Sequence, residues 1–158
     1  MKFYSAQDYQ PRLEKMVSIL IPELKAVLPN SRIEHMGSSS IAGAVSKGDL
    51  DIFIGVSKDR FEESLKAIKT LGFKIKEDTL RTDSLCVLTT LLFNQDVAVQ
   101  LVRDGSEFED FLRFRDLLNQ DASLVQKYNE LKLSSVDLDE AAYRLKKSAF
   151  IEKVLTQK

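Results

Sequence analysis

The sequence has very little of the residue types that bind metals through nitrogen or sulfur. It contains one cysteine, Cys86, and one histidine, His35, among 158 residues. A single cysteine excludes an internal disulfide framework and any zinc site built on cysteine. A single histidine likewise excludes a site with several histidine ligands. A metal ion in this protein therefore has to be held by oxygen atoms, which favours Mg²⁺, Mn²⁺ or Ca²⁺.

An excess of charge of one sign is also missing, and so is any long apolar run. The chain carries 23 Lys and Arg against 24 Asp and Glu, so its formal net charge is −1. This balance excludes a nucleic-acid surface that depends on net positive charge. No apolar run approaches the ~20 residues that cross a membrane. Residues 1–10 lack the apolar centre of a signal peptide. We expect a cytoplasmic protein that does not enter a membrane.

Glycine and proline are also scarce, so few residues of the chain would interrupt a helix or a strand. Apolar residues at helical spacing predict a first helix that ends before Pro29, with a kink or break at Pro22. The stretch LDIFIGV at 50–56 is typical of a strand buried on both faces. Further strands are predicted at 32–36, 73–76, 84–93 and 96–102. A hairpin turn at Asn94-Gln95 is predicted to join the last two strands. A helix capped by Asp59 with Glu62 is predicted between 59 and 72.

The C-terminal third of the chain has no strand pattern and predicts two or three helices. Asp137 with Glu140 forms a capping-box pattern for the last of them. The predicted order is therefore α-β-turn-β-α-β-β-β-α-α-α, an α/β (α+β) fold with a mixed sheet and flanking helices. The length fits one domain. We predict a single domain over 1–158, with a core at about 31–104 and a C-terminal helical extension at about 107–158.

Chemistry is concentrated between the predicted strands at 32–36 and 50–56. Gly37-Ser38 ends the first strand and begins a turn of small residues, which lets backbone N–H groups and a hydroxyl approach a phosphate. Asp49 and Asp51 open the second strand, and side chains two apart on a strand share a face. Two neighbouring carboxylates repel unless a cation lies between them, so the pair suits a divalent metal. Each feature alone is also typical of an ordinary turn or strand end.

The two features together resemble the nucleotidyltransferase superfamily, in which Gly-Ser is followed by D-x-D on the next strand, over roughly 33–102. The segment IEHMGSSSIAGAVSKGDLDI more closely resembles the signature of the GrpB family of nucleotidyltransferase-like proteins (UPF0157). The positions that agree with the family signature without gaps are His35, Gly37, Ser38, Ser40, Gly43, Lys47 and Asp51. The family-like segments of the tail are FRDLL at 114–118, YNELK at 128–132 and Y-x-x-x-K-x-x-F-I at 143–151.

The departures from the family concern the acidic residues. GrpB proteins often have an aliphatic residue where Asp49 stands, so this chain is closer to the superfamily's D-x-D. Active nucleotidyltransferases carry a third carboxylate on the strand at 96–102, where GrpB proteins tend to show H-x-H. In this chain those positions are Ala98 and Gln100, neither of which is a carboxylate. Asp96 could substitute for the third acid or could simply begin the strand.

The resemblance implies that the chain binds a nucleoside triphosphate with Mg²⁺ or Mn²⁺ and transfers a nucleotidyl group to a small-molecule or protein acceptor. Nucleic acid is not expected as a partner. Gly37, Ser38 and Lys47 would bind the phosphates, and Asp49 and Asp51 would hold the metal and carry catalysis. Two alternatives stay open. One is a catalytically degenerate module of the same fold that binds a ligand or a protein, and the other is a small-molecule phosphotransferase.

Several polar side chains near the motif allow two interpretations. Lys47 could neutralise a phosphate or be a solvated loop lysine. His35 could act as a base or be a strand histidine satisfied by a neighbour. Arg115 could clamp a phosphate or form an internal ion pair. Four further residues match family positions on the predicted C-terminal helices, where aromatic side chains more often belong to the core: Tyr128, Lys132, Tyr143 and Lys147.

Overall fold

The computed structural model describes residues 1–157, which form five α-helices and five β-strands. This order agrees with the predicted order, so the mixed α/β class and the C-terminal run of helices are confirmed. No helix within residues 1–157 is both long enough and apolar enough to cross a membrane. The helices are α1 (Ala6–Val27), α2 (Phe61–Lys69), α3 (Asp110–Asn119), α4 (Ala122–Leu133) and α5 (Glu140–Thr156), and the strands are β1 (Arg32–Met36), β2 (Leu50–Val56), β3 (Lys74–Ile75), β4 (Leu85–Leu92) and β5 (Gln95–Arg103).

The strands form one mixed sheet in the order β1-β2-β5-β4-β3. β2 and β5 run parallel at its centre, and every other neighbouring pair is antiparallel. A central strand is covered on both faces, which explains the almost unbroken apolar run of LDIFIGV. The parallel pairing places Asp51 beside Ala98 and Phe53 beside Gln100. These four side chains therefore lie on one face of the sheet.

Helices α1 and α2 cover the opposite face and form the main core. Leu13 and Leu24 of α1 and Ile68 of α2 are fully buried against Ile52 and Leu101 of the central strands. Burial of each such side chain contributes about 1.5–3 kcal/mol relative to exposure. This face is therefore a closed apolar layer, and it leaves any polar chemistry to the other side of the sheet.

The face that carries Asp51 is only partly covered. Leu112 of α3 packs on Met36, Phe53 and Val102 and forms a small apolar cluster there. The rest of the C-terminal helices pack against the loop after β1 instead of the sheet, in a second cluster built around Ile41. This arrangement leaves a cleft between the beginning of β2, the middle of β5 and the helices α3 to α5.

Of the kink or break predicted at Pro22, the break does not occur, because α1 runs without interruption to Val27. Proline removes one helical hydrogen bond and crowds the preceding turn. The buried residues Leu20 and Leu24 lie on either side of it and anchor both halves of the helix on the sheet. Packing of the apolar face therefore outweighs the local cost of the proline.

The predicted turn between β4 and β5 is one residue late. Leu92 pairs with Gln95, so Phe93 and Asn94 are the two turn residues. Their φ angles are 50° and 61°, the left-handed values that a two-residue type I′ hairpin needs at both positions. Asparagine tolerates this conformation well, but a phenylalanine there gives no sequence signal for it.

Both predicted capping boxes are wrong as well. Asp59 lies in a 3₁₀ turn, and α2 begins at Phe61 with no side-chain cap. The last helix is capped by Asp139, whose carboxylate accepts a hydrogen bond of 2.7 Å from the Ala142 backbone N–H. An aspartate two residues further along than predicted therefore performs the expected capping chemistry.

Candidate nucleotide and metal site

A tight turn joins the end of β1 to the site. Gly37 has φ +74° and leads into a 3₁₀ turn at Ser38–Ser40. A Cβ atom on Gly37 would lie 2.4 Å from Oδ2 of Asp51, closer than nonbonded atoms can approach. Glycine is therefore required here both for its backbone conformation and for the contact with the carboxylate. The predicted Gly-Ser turn and D-x-D pair are thus directly adjacent.

Side chains from β1 and α3 hold this turn in place. His35 Nε2 and Ser39 Oγ are 2.7 Å apart, and the Ser40 hydroxyl donates to the Gly37 carbonyl at 2.6 Å. Burial, followed by the charge of Arg115, lowers the pKa of His35 to about 4, so the imidazole is neutral at pH 7. The geometry favours the interpretation of His35 as a histidine satisfied by a neighbour.

Arg115 is engaged by protein groups. Its guanidinium donates to the His35 carbonyl and to the Glu34 carboxylate, both at 2.9 Å, and pairs with Asp116 at 2.8 Å. These contacts tie α3 to β1. They favour the internal ion pair over the phosphate clamp, although the side chain lines the same cleft.

Asp51 is the central acid of the site. It lies half-buried on β2, between Met36 of β1 and Ala98 of β5. Burial is the largest effect and raises the pKa of the Asp51 carboxyl, and the negative charge of Asp49 raises it further. The positive charge of Lys147 and a hydrogen bond from Gln100 lower the pKa but do not outweigh burial. Asp49 is exposed just before the strand begins. Both carboxylates line one cleft, as predicted for side chains two residues apart.

The position expected for a third carboxylate carries a methyl group. Ala98 is in register with Asp51, whereas Asp96 is exposed and lines a neighbouring hollow together with Asp49. No group of three His, Cys, Asp or Glu side chains within residues 1–157 could hold a metal ion, so the geometry does not support Asp96 as a substitute. Two carboxylates still fit Mg²⁺, which commonly takes one or two from the protein and its other ligands from phosphates and water.

A buried lysine reaches the Gly-Ser turn from α4. Lys132 is 1% exposed; its Nζ donates to the Ser38 hydroxyl and, at 2.7 Å, to the Val45 carbonyl. It also lies 4.1 Å from the centre of the Tyr128 ring. Burial, followed by the charges of Lys147 and Lys47, lowers the pKa of Lys132 to about 6. Lys132 is therefore largely uncharged at pH 7 and would gain charge when an anion binds beside it.

Two further lysines border the cleft. Lys147 projects from α5. Its pKa is raised, first by the Tyr128 hydroxyl and also by Tyr143 and Asp51, and these effects together outweigh burial, which lowers the pKa. Lys47 lies at the rim, where it pairs with Glu140 at 3.6 Å and faces the Tyr143 ring at 5.7 Å. Sequence reasoning did not select Lys132 or Lys147, although the family-like segments of the tail contain both.

All five predicted site residues meet in one cavity of about 360 Å³. The cavity is lined by three carboxylates (Asp49, Asp51 and Asp110), three lysines (Lys47, Lys132 and Lys147) and a wall of apolar and aromatic side chains from α3 and α5. A cavity of this kind can take a ligand with an anionic group and a flat or apolar body. The predicted site residues that line it are Gly37, Ser38, Lys47, Asp49 and Asp51, and the apolar wall includes Phe111, Phe114, Tyr143, Ile151 and Leu155.

Comparison with known sequences gives a consistent match over almost the whole chain. A family model described as GrpB protein matches residues 5–157. A UPF0157 protein of Vibrio cholerae is 51% identical over 157 residues, which cover 99% of this chain and 83% of that protein. A UPF0157 protein of Deinococcus radiodurans is 26% identical over 135 residues, covering 84% and 70% of the two chains.

Comparison with solved structures identifies the fold. The crystal structure of GrpB from Enterococcus faecalis matches 97% of this chain and 94% of its own, with a TM-score of 0.77 and 20% identity. The Cid1 poly(U) polymerase solved with MgGTP matches 80% of this chain and 42% of its own, with a TM-score of 0.56 and 15% identity. The fold is therefore nucleotidyltransferase-like, as the sequence resemblance implied.

Proposed function

We propose that this chain, which belongs to the GrpB family, binds a nucleoside triphosphate together with Mg²⁺ in the cleft between β2 and the C-terminal helices. The observation that carries the proposal is the meeting of the Gly37-Ser38 turn, the carboxylates of Asp49 and Asp51, and buried lysine in one cavity. Carboxylates suit the metal, and the lysines and the serine hydroxyl suit the phosphates. The apolar wall offers a surface for the nucleoside.

Each polar residue has a distinct task in this proposal. Ser38 donates its hydroxyl to a phosphate oxygen, while Lys132 and Lys147 bring positive charge to the same end of the cleft. Lys132 takes up a proton as the phosphates bind, because an adjacent anion favours its charged form. Mg²⁺ held by Asp49, Asp51 and phosphate oxygens would supply further neutralisation of the phosphate charge.

Nucleotidyl transfer to a small-molecule or protein hydroxyl is the reaction that this arrangement suits. Asp51 and Asp49 would orient the metal-bound nucleotide toward the acceptor hydroxyl. A second candidate function is nucleotide binding without transfer. The register of Ala98 with Asp51 favours it, because the strand position beside Asp51 carries no carboxylate to polarise an acceptor hydroxyl.

Calorimetric titration tests the proposal. ATP and GTP are titrated into the protein with Mg²⁺ and with EDTA, beside the double variant Asp49→Asn/Asp51→Asn. We expect metal-dependent binding that the double variant loses. The control is Asp59→Asn/Asp83→Asn, which removes two exposed carboxylates outside the cleft and should bind as the parent does. Absence of binding of both nucleotides under all conditions would contradict the proposed function.

A second measurement separates transfer from binding alone. The protein is incubated with Mg²⁺ and ATP labelled at the α-phosphate, with a panel of hydroxyl-bearing small molecules and proteins. Release of pyrophosphate together with a labelled acceptor supports transfer. Tight binding with neither product supports the non-catalytic candidate.

A further inference from the structure

One buried polar atom of a residue that lines the cleft has no hydrogen-bond partner within residues 1–157. Gln100 lies on β5 between Phe53 of β2 and Val87 of β4, and it faces the same side of the sheet as Asp51. Within residues 1–157, three buried side-chain oxygens lack a hydrogen bond, and Oε1 of Gln100 is the one whose residue lines the cleft. A buried oxygen without a hydrogen bond is destabilising, so this atom is a candidate to bind a ligand.

The other end of the same amide already contacts the site. A hydrogen bond from Gln100 lowers the pKa of Asp51, against the larger effect of burial. The oxygen and nitrogen of a glutamine amide exchange places by a half-turn about its last single bond. Such a turn gives up one hydrogen bond to Asp51 and breaks none at the oxygen. The turn therefore costs the hydrogen bond to the Asp51 carboxylate, and coordination of a cation by the amide oxygen has to offset that cost.

We propose that Oε1 of Gln100 is the third protein oxygen ligand of the divalent cation, beside the carboxylates of Asp49 and Asp51. Glutamine carbonyl oxygens are ordinary ligands of hard cations. The inference rests on the proposed function, since it concerns the metal of that site. It gives a role to a residue that lies two positions beyond the usual third acid and carries no charge.

The charge of this ligand set has a consequence for metal binding. Two carboxylates and one neutral amide bring a charge of −2, which balances the cation but leaves no excess attraction. A set of three carboxylates would bind the bare metal more strongly, because affinity rises with ligand charge. The cation therefore binds weakly alone and more tightly when the phosphates of the nucleotide complete its shell.

Titration with Mn²⁺, followed by the electron paramagnetic resonance signal of the free ion, tests this ligand assignment. Gln100→Leu keeps a similar volume and removes the oxygen, so we expect Mn²⁺ affinity in the presence of ATP to fall about tenfold. Gln100→Glu keeps the oxygen and adds charge, so Mn²⁺ without ATP should bind more tightly. The control is Thr89→Val, which removes a hydroxyl from the same face of the sheet and should leave both affinities unchanged.

The outcomes separate this inference from the proposed function. Opposite shifts in Gln100→Leu and Gln100→Glu support the ligand role, because a folding defect would weaken binding in both. Binding of Mn²⁺ and ATP that depends on Asp51 but is unchanged in Gln100→Leu overturns the ligand role and leaves the function standing. If Mn²⁺ binding depends on Gln100 but ATP does not bind at all, the ligand role is supported and the proposed nucleotide binding is overturned. Failure of the parent protein to bind Mn²⁺ with or without ATP overturns both.

Discussion

Asp51 of β2 and Ala98 of β5 are in register on neighbouring parallel strands, on the face of the sheet from which Asp51 lines the cleft. The site therefore has a carboxylate on one strand and a methyl group at the adjacent position of the next. In the assembled sheet, the position beside Asp51 therefore lacks a third carboxylate, and a substitution of Ala98 can supply one.

Replacement of Ala98 by Asp should create a three-carboxylate metal site. Without metal, repulsion between the acids should lower Tm by about 2–4 °C, which corresponds to roughly 1 kcal/mol in a protein of this size. Addition of Mn²⁺ should raise Tm more in Ala98→Asp than in the parent, since a folded-state ligand stabilises in proportion to its affinity. Thermal unfolding with and without Mn²⁺ measures both effects.

Ala98→Asn is the matched control for this prediction. It has nearly the same shape as aspartate but no charge, so its Tm should respond to Mn²⁺ much as the parent's does. Equal responses of Ala98→Asp and Ala98→Asn to the metal would mean that position 98 does not contribute to a cation site.

Much of the fold could be predicted because periodicity reports burial. LDIFIGV is a strand buried on both faces, and the strand at 32–36 has the predicted bounds. The misplaced features depend on contacts that periodicity does not describe. Continuation of α1 through Pro22 needs packing on the sheet, and the hairpin turn uses a left-handed phenylalanine, Phe93, that has no local signal.

The candidate site was predictable only where its residues are close in sequence. Gly37-Ser38 and the pair Asp49 and Asp51 lie within fifteen residues and were predicted together. Lys132 reaches Ser38 across 94 positions of the chain, a distance at which no spacing rule operates. The sequence placed it only on a helix that matches the family, and its nearly complete burial was not predicted. Its polar contacts follow from the packing of α4 against the turn.

The close approach of Gly37 to Asp51 predicts an unusual cost for a small substitution. Gly37→Ala should lower the free energy of unfolding by about 1–3 kcal/mol more than Gly43→Ala, measured by urea denaturation. Both glycines have left-handed φ values, 74° and 82°. A Cβ on Gly43 would meet only Val125, at 3.9 Å, whereas one on Gly37 would overlap Oδ2 of Asp51. Equal losses in the two variants would show that the contact with Asp51 is not a constraint.

Lys132 predicts the direction in which stability depends on pH. Its pKa is lowered to about 6 in the folded protein, first by burial, and is about 10.4 in an unfolded chain. Between these values the unfolded chain binds the extra proton, so the free energy of unfolding should rise with pH, by up to about 1.4 kcal/mol per unit. The destabilisation caused by this lysine is fully present below about pH 6 and decreases progressively as the pH rises toward about 10.4.

Urea denaturation of the parent and of Lys132→Met between pH 6.5 and 8.5 measures this effect. The methionine cannot titrate, so its stability relative to the parent should be greater at pH 6.5 than at 8.5, by about 2–3 kcal/mol if no other group compensates. Lys127→Met, which replaces an exposed lysine of the same helix, should differ from the parent by a constant amount over this range. A constant difference for Lys132→Met as well would mean that Lys132 keeps its proton in the folded protein, and the proton uptake proposed for phosphate binding would then not occur.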